Sequence, residues 1–254
     1  MQTGYTHISV ILDRSGSMEA IRDDTLGGFN SFLRTQQAEP AGTATLTLVQ
    51  FDSTDPYEVI HQFRALGSVP PLTRETFVPR ATTSLLDAMG RAINDIDQQL
   101  VQLAEAARPE KVLVVIITDG QENASREFSR AQVEKMIKNK QDQHGWEFGF
   151  LSADLASIDL AQSVGIHAHN TSFFDLDSGG VGQSWDFIGS TTTAHRTRPS
   201  RRAVDSAAER MTRRPERTQC RSKRCRPGRR QTIDLIAHAA GKRSCGARPT
   251  VARA

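Results

Sequence analysis

Cysteine is absent from the first 219 residues of this 254-residue chain, and the three present, Cys220, Cys225 and Cys245, all sit near its end. That excludes a disulfide framework for most of the protein, and CRSKRC without a second ligand pair argues against a zinc site. Long apolar runs are lacking as well. Nothing approaches the ~20 residues of a bilayer span, so no membrane partner is expected. The N-terminal MQTGYTHISVILD has neither the basic start nor the small-residue cleavage site of a secretory leader. The expectation is a cytoplasmic protein. A Ser-His-Asp elbow, a glycine-rich phosphate loop and a dinucleotide fingerprint are also missing, which argues against catalysis.

Basic residues are scarce in one part of the chain and acidic ones in the other. Residues 1–189 carry 14 Lys+Arg against 25 Asp+Glu, a net of −11, while residues 190–254 carry 18 against 4, a net of +14. The formal total of +3 hides two different kinds of polypeptide. This asymmetry places a domain over 1–190 and an Arg-rich tail over 191–254.

What is present in the first part is an alternation of strand and helix patterns. HISVIL (7–12), TATLTLVQF (43–51), YEVIHQF (57–63), KVLVVIIT (111–118) and WEFGFL (146–151) read as strands, with a last strand starting at Gly165–Ala168. The second and third of these, joined by DSTDP, form a hairpin whose outer member lies at the sheet edge. Helical spacing marks roughly 20–37, 84–106, 130–143 and 158–164. Gly27-Gly28 weakens the first helix and allows close packing there. Alternation of this kind predicts an α/β fold, doubly wound, with a mainly parallel central sheet, one antiparallel edge strand and helices on both faces.

In such folds ligands bind beyond the carboxyl ends of the strands, where the winding direction reverses. The two strands that look most buried both end in an aspartate, Asp13 and Asp119. VILDRSGSM (10–18) then adds hydroxyls at Ser15 and Ser17. Three oxygen-bearing side chains within five residues suit either a helix cap or a hard metal ion. PRATTSLLD (79–87) puts further hydroxyls just before the long helix, where alone they read as N-caps.

Taken in order, DRSGSM, TTSLLDA and IITDG resemble the von Willebrand factor type A domain with its metal-ion-dependent adhesion site. The resemblance covers most of residues 5–170. GGFNSF, LVQFD and ITDGQENASREF are closest to the small single-domain bacterial members. It implies that Asp13, Ser15 and Ser17 supply the first metal loop, Thr83 the second and Asp119 the third. Thr83 is preferred because the family places its threonine two residues before a Leu at the helix start; Thr82 is the alternative. The implied ion is Mg²⁺ (or Mn²⁺), which takes about six oxygens at ~2.0–2.1 Å. Two anionic ligands leave that ion able to accept an Asp or Glu from an unidentified partner protein, in a family whose members often work beside AAA-type ATPases.

Other features weigh less. Glu122-Asn123 reads as a solvated loop, with support of the metal loops as the alternative. Asp175-Leu-Asp-Ser-Gly-Gly180 lacks the closing Glu of a calcium loop and reads as a Gly-rich loop. His167 and His169 read as the surface end of a strand, with a metal pair on one strand face as the alternative. A phosphatase-like hydrolase using Asp13 would carry a second carboxylate two residues on, where this chain has Ser15. From about His195 periodicity vanishes and Arg outnumbers Lys 16 to 2. One reading is a disordered arm that binds nucleic acid or another polyanion; the other is out-of-frame translation of a GC-rich gene. Trp185, Phe187 and Ile188 begin a closing helix which, if cut short there, leaves one flank of the sheet poorly covered and the domain marginally stable.

Overall fold

The computed structural model describes residues 1–176 and 178–199. Its centre is β1 (Gln2–Asp13), a strand whose β-branched run 8–12 is buried on both faces. β1 pairs in parallel with β2 (Thr43–Phe51) on one side and with β4 (Pro109–Thr118) on the other. β3 (Glu58–Ala65) runs antiparallel to β2 at one edge, and β5 (Glu147–Ser152) and β6 (Thr171–Phe173) extend the parallel part at the other. The order is β3-β2-β1-β4-β5-β6, so the winding reverses between β1 and β4. This is the doubly wound sheet with one antiparallel edge strand that the sequence pattern predicts.

Two apolar layers flank the sheet. On one face Ile8, Val10 and Leu12 pack against α1 (Arg22–Ala38) and α5 (Ser178–Thr197). On the other Ile11, Val112, Val114 and Ile116 pack against α2 (Leu85–Gln102), α3 (Arg130–His144) and α4 (Leu155–Ser163). A capping box at Ser129/Gln132 opens α3, and Gly145, with φ 66°, closes it.

Several boundaries differ from the sequence expectation. α2 stops at Gln102 instead of 106: the chain turns extended at Leu103 and Ala104 and crosses to β4 through a short 3-10 turn, Glu105–Ala107, after which Pro109 keeps Arg108 extended. α4 begins three residues earlier than expected, at Leu155, because the Asp154 carboxylate caps it by accepting the Ser157 N–H at 2.8 Å. The last strand is Thr171–Phe173, not 165–168, where Gly165 at φ 94° turns the chain out of α4.

The largest departure is α5. The Gly-rich loop expected over 175–180 gives way to a helix whose first turns contain Gly179, Gly180 and Gly182. Val181, Trp185, Ile188 and Thr192 form its buried stripe. Trp185 packs edge-on to Phe29 at 5.8 Å and lies over Gly28, where any Cβ would collide with the indole. Of the Gly27-Gly28 pair, then, Gly28 provides the close approach. α5 crosses position 190 and stays packed to its end. His195 and Arg196 are buried, Arg196 donates to the carbonyls of Gln36, Glu39 and Ala41 at the end of α1, and Lys111 Nζ donates to the carbonyls of His195, Arg196 and Arg198. The flank that a helix cut short after Ile188 would leave poorly covered is covered. Residues 200–254, including the three cysteines, lie outside the described residues. Among the described residues no helix is long and apolar enough to cross a membrane.

Candidate metal centre

The pairing Leu12↔Ile117 sets the carboxyl ends of β1 and β4 side by side, and Asp13 and Asp119 leave the sheet there. Asp13 is fully buried. Its Oδ1 accepts the Ser15 N–H at 2.6 Å and its Oδ2 the Thr118 hydroxyl at 2.5 Å. A chain of hydroxyls links it to the second acid: Ser15 Oγ lies 3.1 Å from Ser17 Oγ, and Ser17 Oγ donates to Asp119 Oδ1 at 2.8 Å.

Thr83 comes from the loop ahead of α2. Its N–H is accepted by Asn123 Oδ1 at 3.0 Å, and its carbonyl accepts from the N–H groups of Asn123 and Ala124. Gly120 shows where the hydroxyl points. A Cβ built there would fall 3.7 Å from Thr83 Oγ1 and 3.8 Å from Ser17 Oγ. Asp13, Ser15, Ser17, Thr83 and Asp119, named from three separated segments, therefore meet in one place. Thr82, the alternative, is exposed and turned toward the loop after β2, its N–H accepted by Ser53 Oγ.

A second network, not foreseen from sequence, locks these loops to one another. Asp52 follows β2 and is 0% exposed. Its Oδ2 accepts from Arg14 Nε at 2.7 Å and from Arg80 Nε at 2.9 Å, tying the loop after β1 to the loop ahead of α2. Arg14 also pairs with Glu58 on β3. Gly16 N–H donates to Ala81 O, Arg80 N–H to Arg14 O, and Ser84 Oγ to Asp52 O. Ala81 is held at φ 58°, a left-handed conformation that non-glycine residues adopt only where surroundings impose it. The signal for Asp52 was present in LVQFD: a third aspartate at a strand's carboxyl end.

Glu122 and Asn123, expected as solvated, are structural. Glu122 accepts the N–H groups of Leu86 at the start of α2 and of Ala124 and Ser125, while Asn123 seats Thr83. His167 and His169 lie on a 3-10 turn, not a strand face; their exposed rings stand 5.4 Å apart and nearly parallel.

The electrostatics separate the aspartates. Burial pushes the Asp13 carboxyl up to about 7, with the Asp119 charge adding to the rise; burial raises Asp119 too. Asp52 is buried as well, which alone would raise it, but hydrogen bonds from the Asp55 N–H, Arg80, Arg14 and the Thr54 N–H hold it below the usual range. Asp52 thus has its counter-charge, whereas among the described residues neither Asp13 nor Asp119 is ion-paired with a Lys or Arg. Two desolvated acids without a basic partner favour a cation at their side. Among the described residues no three His, Cys, Asp or Glu side chains converge on one point. The donor set is therefore all oxygen and mostly neutral, which suits a hard divalent ion better than a thiophilic one.

No family model matches the chain, and no curated protein matches it. Solved structures do. The PilB minor pilin from Streptococcus sanguinis superposes at TM-score 0.54 and 11% identity, over 74% of this chain and 61% of that one. A mussel byssus protein, proximal thread matrix protein 1 with a zinc-occupied metal-ion-dependent adhesion motif, superposes at 0.51 and 15%, over 75% and 46%. A von Willebrand factor type A protein from Catenulispora acidiphila gives 0.49 and 12%, over 76% and 43%. The chain spans about half the length of these proteins. At such identities the likeness is one of fold alone, a doubly wound, mainly parallel sheet.

Proposed function

We propose that this protein is a divalent-metal-dependent protein-interaction module. Mg²⁺, or Mn²⁺, would be held by Asp13, Ser15, Ser17, Thr83 and Asp119. When bound, the ion supplies residual positive charge, since two carboxylates neutralise it while hydroxyls do not, and so draws a carboxylate from a partner protein. The chain's own residues do the rest. Asp13 anchors from the floor of the crevice, Thr83 is buried, the exposed Ser17 faces the rim, and Asp52 with Arg14 and Arg80 keeps the loops from spreading. The observation that carries this reading is the convergence, at the sheet's switch point, of three hydroxyls and two buried acids that no Lys or Arg pairs with among the described residues.

A hydrolase reading has less support. Asp13 is wholly buried, with both oxygens taken by Ser15 and Thr118, whereas a nucleophile must reach its substrate. Polyanion binding through the basic tail rests on residues 200–254 and on composition alone. A cytoplasmic setting, and a partner tied to an AAA-type ATPase, belong to the same proposal.

The test is capture from cell extract on the immobilised chain in Mg²⁺ and in chelator. A protein retained only in Mg²⁺, and lost with Asp119→Ala, is the expected result. Identical captured sets in all three conditions would contradict it.

A further inference from the structure

A cleft of about 600 Å³ is lined by Thr82, Asn123, Asp87, Arg91, Arg126 and Glu127 among others. Its lining adjoins Thr83, because Thr82 precedes that residue and Asn123 holds its N–H. Its volume falls within the ~300–1,000 Å³ of ordinary ligand pockets. The walls are fixed in advance. Asp87 accepts the N–H groups of Arg126, Glu127 and Phe128 at 2.8–2.9 Å, and the Glu122 carboxylate binds the Leu86, Ala124 and Ser125 N–H groups. A cleft built this way loses little freedom when occupied.

The charges within it are unequally committed. Asp87 is consumed by its three amides, and Glu127 pairs with Arg91 at 2.6 Å. The exposed Arg126 guanidinium, by contrast, has no ion-pair or hydrogen-bond partner among the described residues. Among the described residues the lining's formal charges balance, Asp87 and Glu127 against Arg91 and Arg126, and Arg126 is the cation left without an ion pair, within a body whose first 189 residues carry −11. The negative charge of residues 1–189 disfavours a dense polyanion in the cleft more than a short segment with one or two acids.

We propose that this cleft seats an acidic segment of the partner protein, one of whose carboxylates completes the Asp13–Asp119 site while a second pairs with Arg126. The proposal rests on the metal-dependent reading above and narrows the partner to a segment with two acids. Arg126 suits the second because its planar fork matches a carboxylate.

The experiment uses the full chain in MgCl₂ and fluorescein-labelled Gly/Ser peptides carrying either one Asp, or an Asp and a Glu separated by one to four residues, read by anisotropy. At least one two-acid peptide should bind about threefold to fivefold more tightly than the single-acid peptide, the gain of one solvent-facing ion pair. Arg126→Ala should remove that advantage, and Arg126→Lys should restore part of it. An equal affinity for all peptides, an advantage that persists in Arg126→Ala, or tighter binding of a single-stranded oligonucleotide would overturn the proposal. Mn²⁺ uptake measured in parallel separates the two readings. A chain that takes up the ion but fails these tests loses only the cleft, whereas one that takes up no ion loses the metal-dependent reading as well.

Discussion

Asp13 and Asp52 have the same burial and opposite fates. Asp52 is surrounded by donors and remains an anion, while Asp13 is desolvated and held near 7. A folded-state value above the unfolded one means that the native chain binds the extra proton. Asp13 therefore costs stability as pH rises from about 4 to about 7, approaching roughly 4 kcal/mol for ~3 units at ~1.36 kcal/mol each. Asp13→Asn lacks this component. In chelator, the melting temperature of the wild type minus that of Asp13→Asn should fall between pH 5 and pH 8, and Mg²⁺ should raise only the wild type. A difference that stays flat with pH would mean that Asp13 does not carry the burial cost. At Asp52 the prediction concerns structure as well as binding. Asp52→Asn leaves the buried Arg14 with only the more exposed Glu58 as counter-charge and should cost on the order of 3 kcal/mol in denaturant melts, with weaker metal uptake, as expected when one member of a buried ion pair is removed. Unchanged stability would remove it as the tie between loops.

The elements that were readable from sequence are those with one strong local signal. β1 and β4 carry β-branched runs, followed by Asp13 in the first and by Thr118 and then Asp119 in the second, and α2 carries an apolar stripe from Leu85 to Ile96. That Asp13, Ser15, Ser17, Thr83 and Asp119 lie near one another was readable from the order of DRSGSM, TTSLLDA and IITDG through their resemblance to a known family, with Asp13 and Asp119 also marked by their place at strand ends. α5 was not, since Gly179, Gly180 and Gly182 favour a loop locally and are overridden by Trp185 docking between Phe29 and Phe32. Its last turn was hidden by composition. Arg196 resembles the arginines that follow, yet it is a buried cap on the end of α1. The Asp52 network was equally hidden, because ion pairs between residues 14, 52 and 80 leave no periodic trace. A chain ended after Gly189 loses Thr192, His195 and Arg196 and the carbonyl cap on Lys111. It should melt roughly 6–12 °C below the full chain, taking a loss of ~3 kcal/mol at ~2–4 °C each. Coincident melts would show that the end of α5 contributes nothing to the fold.

At the scale of the whole molecule, one topological fact organises the rest. Winding that reverses between β1 and β4 leaves a crevice at their carboxyl ends, and the sequence delivers an acid from each side of it, hydroxyls from two loops, and a glycine, Gly120, that keeps the middle open. The cleft beside it and the Asp52 tie beneath it make sense as supports for an ion held at that point. Calorimetric titration of Mn²⁺ into the full chain tests this most directly. Uptake of one ion per chain, abolished in Asp119→Asn and in Asp13→Asn while both variants stay folded, is what the account predicts; folded wild-type protein that takes up no ion, or variants that take it up equally well, would contradict it.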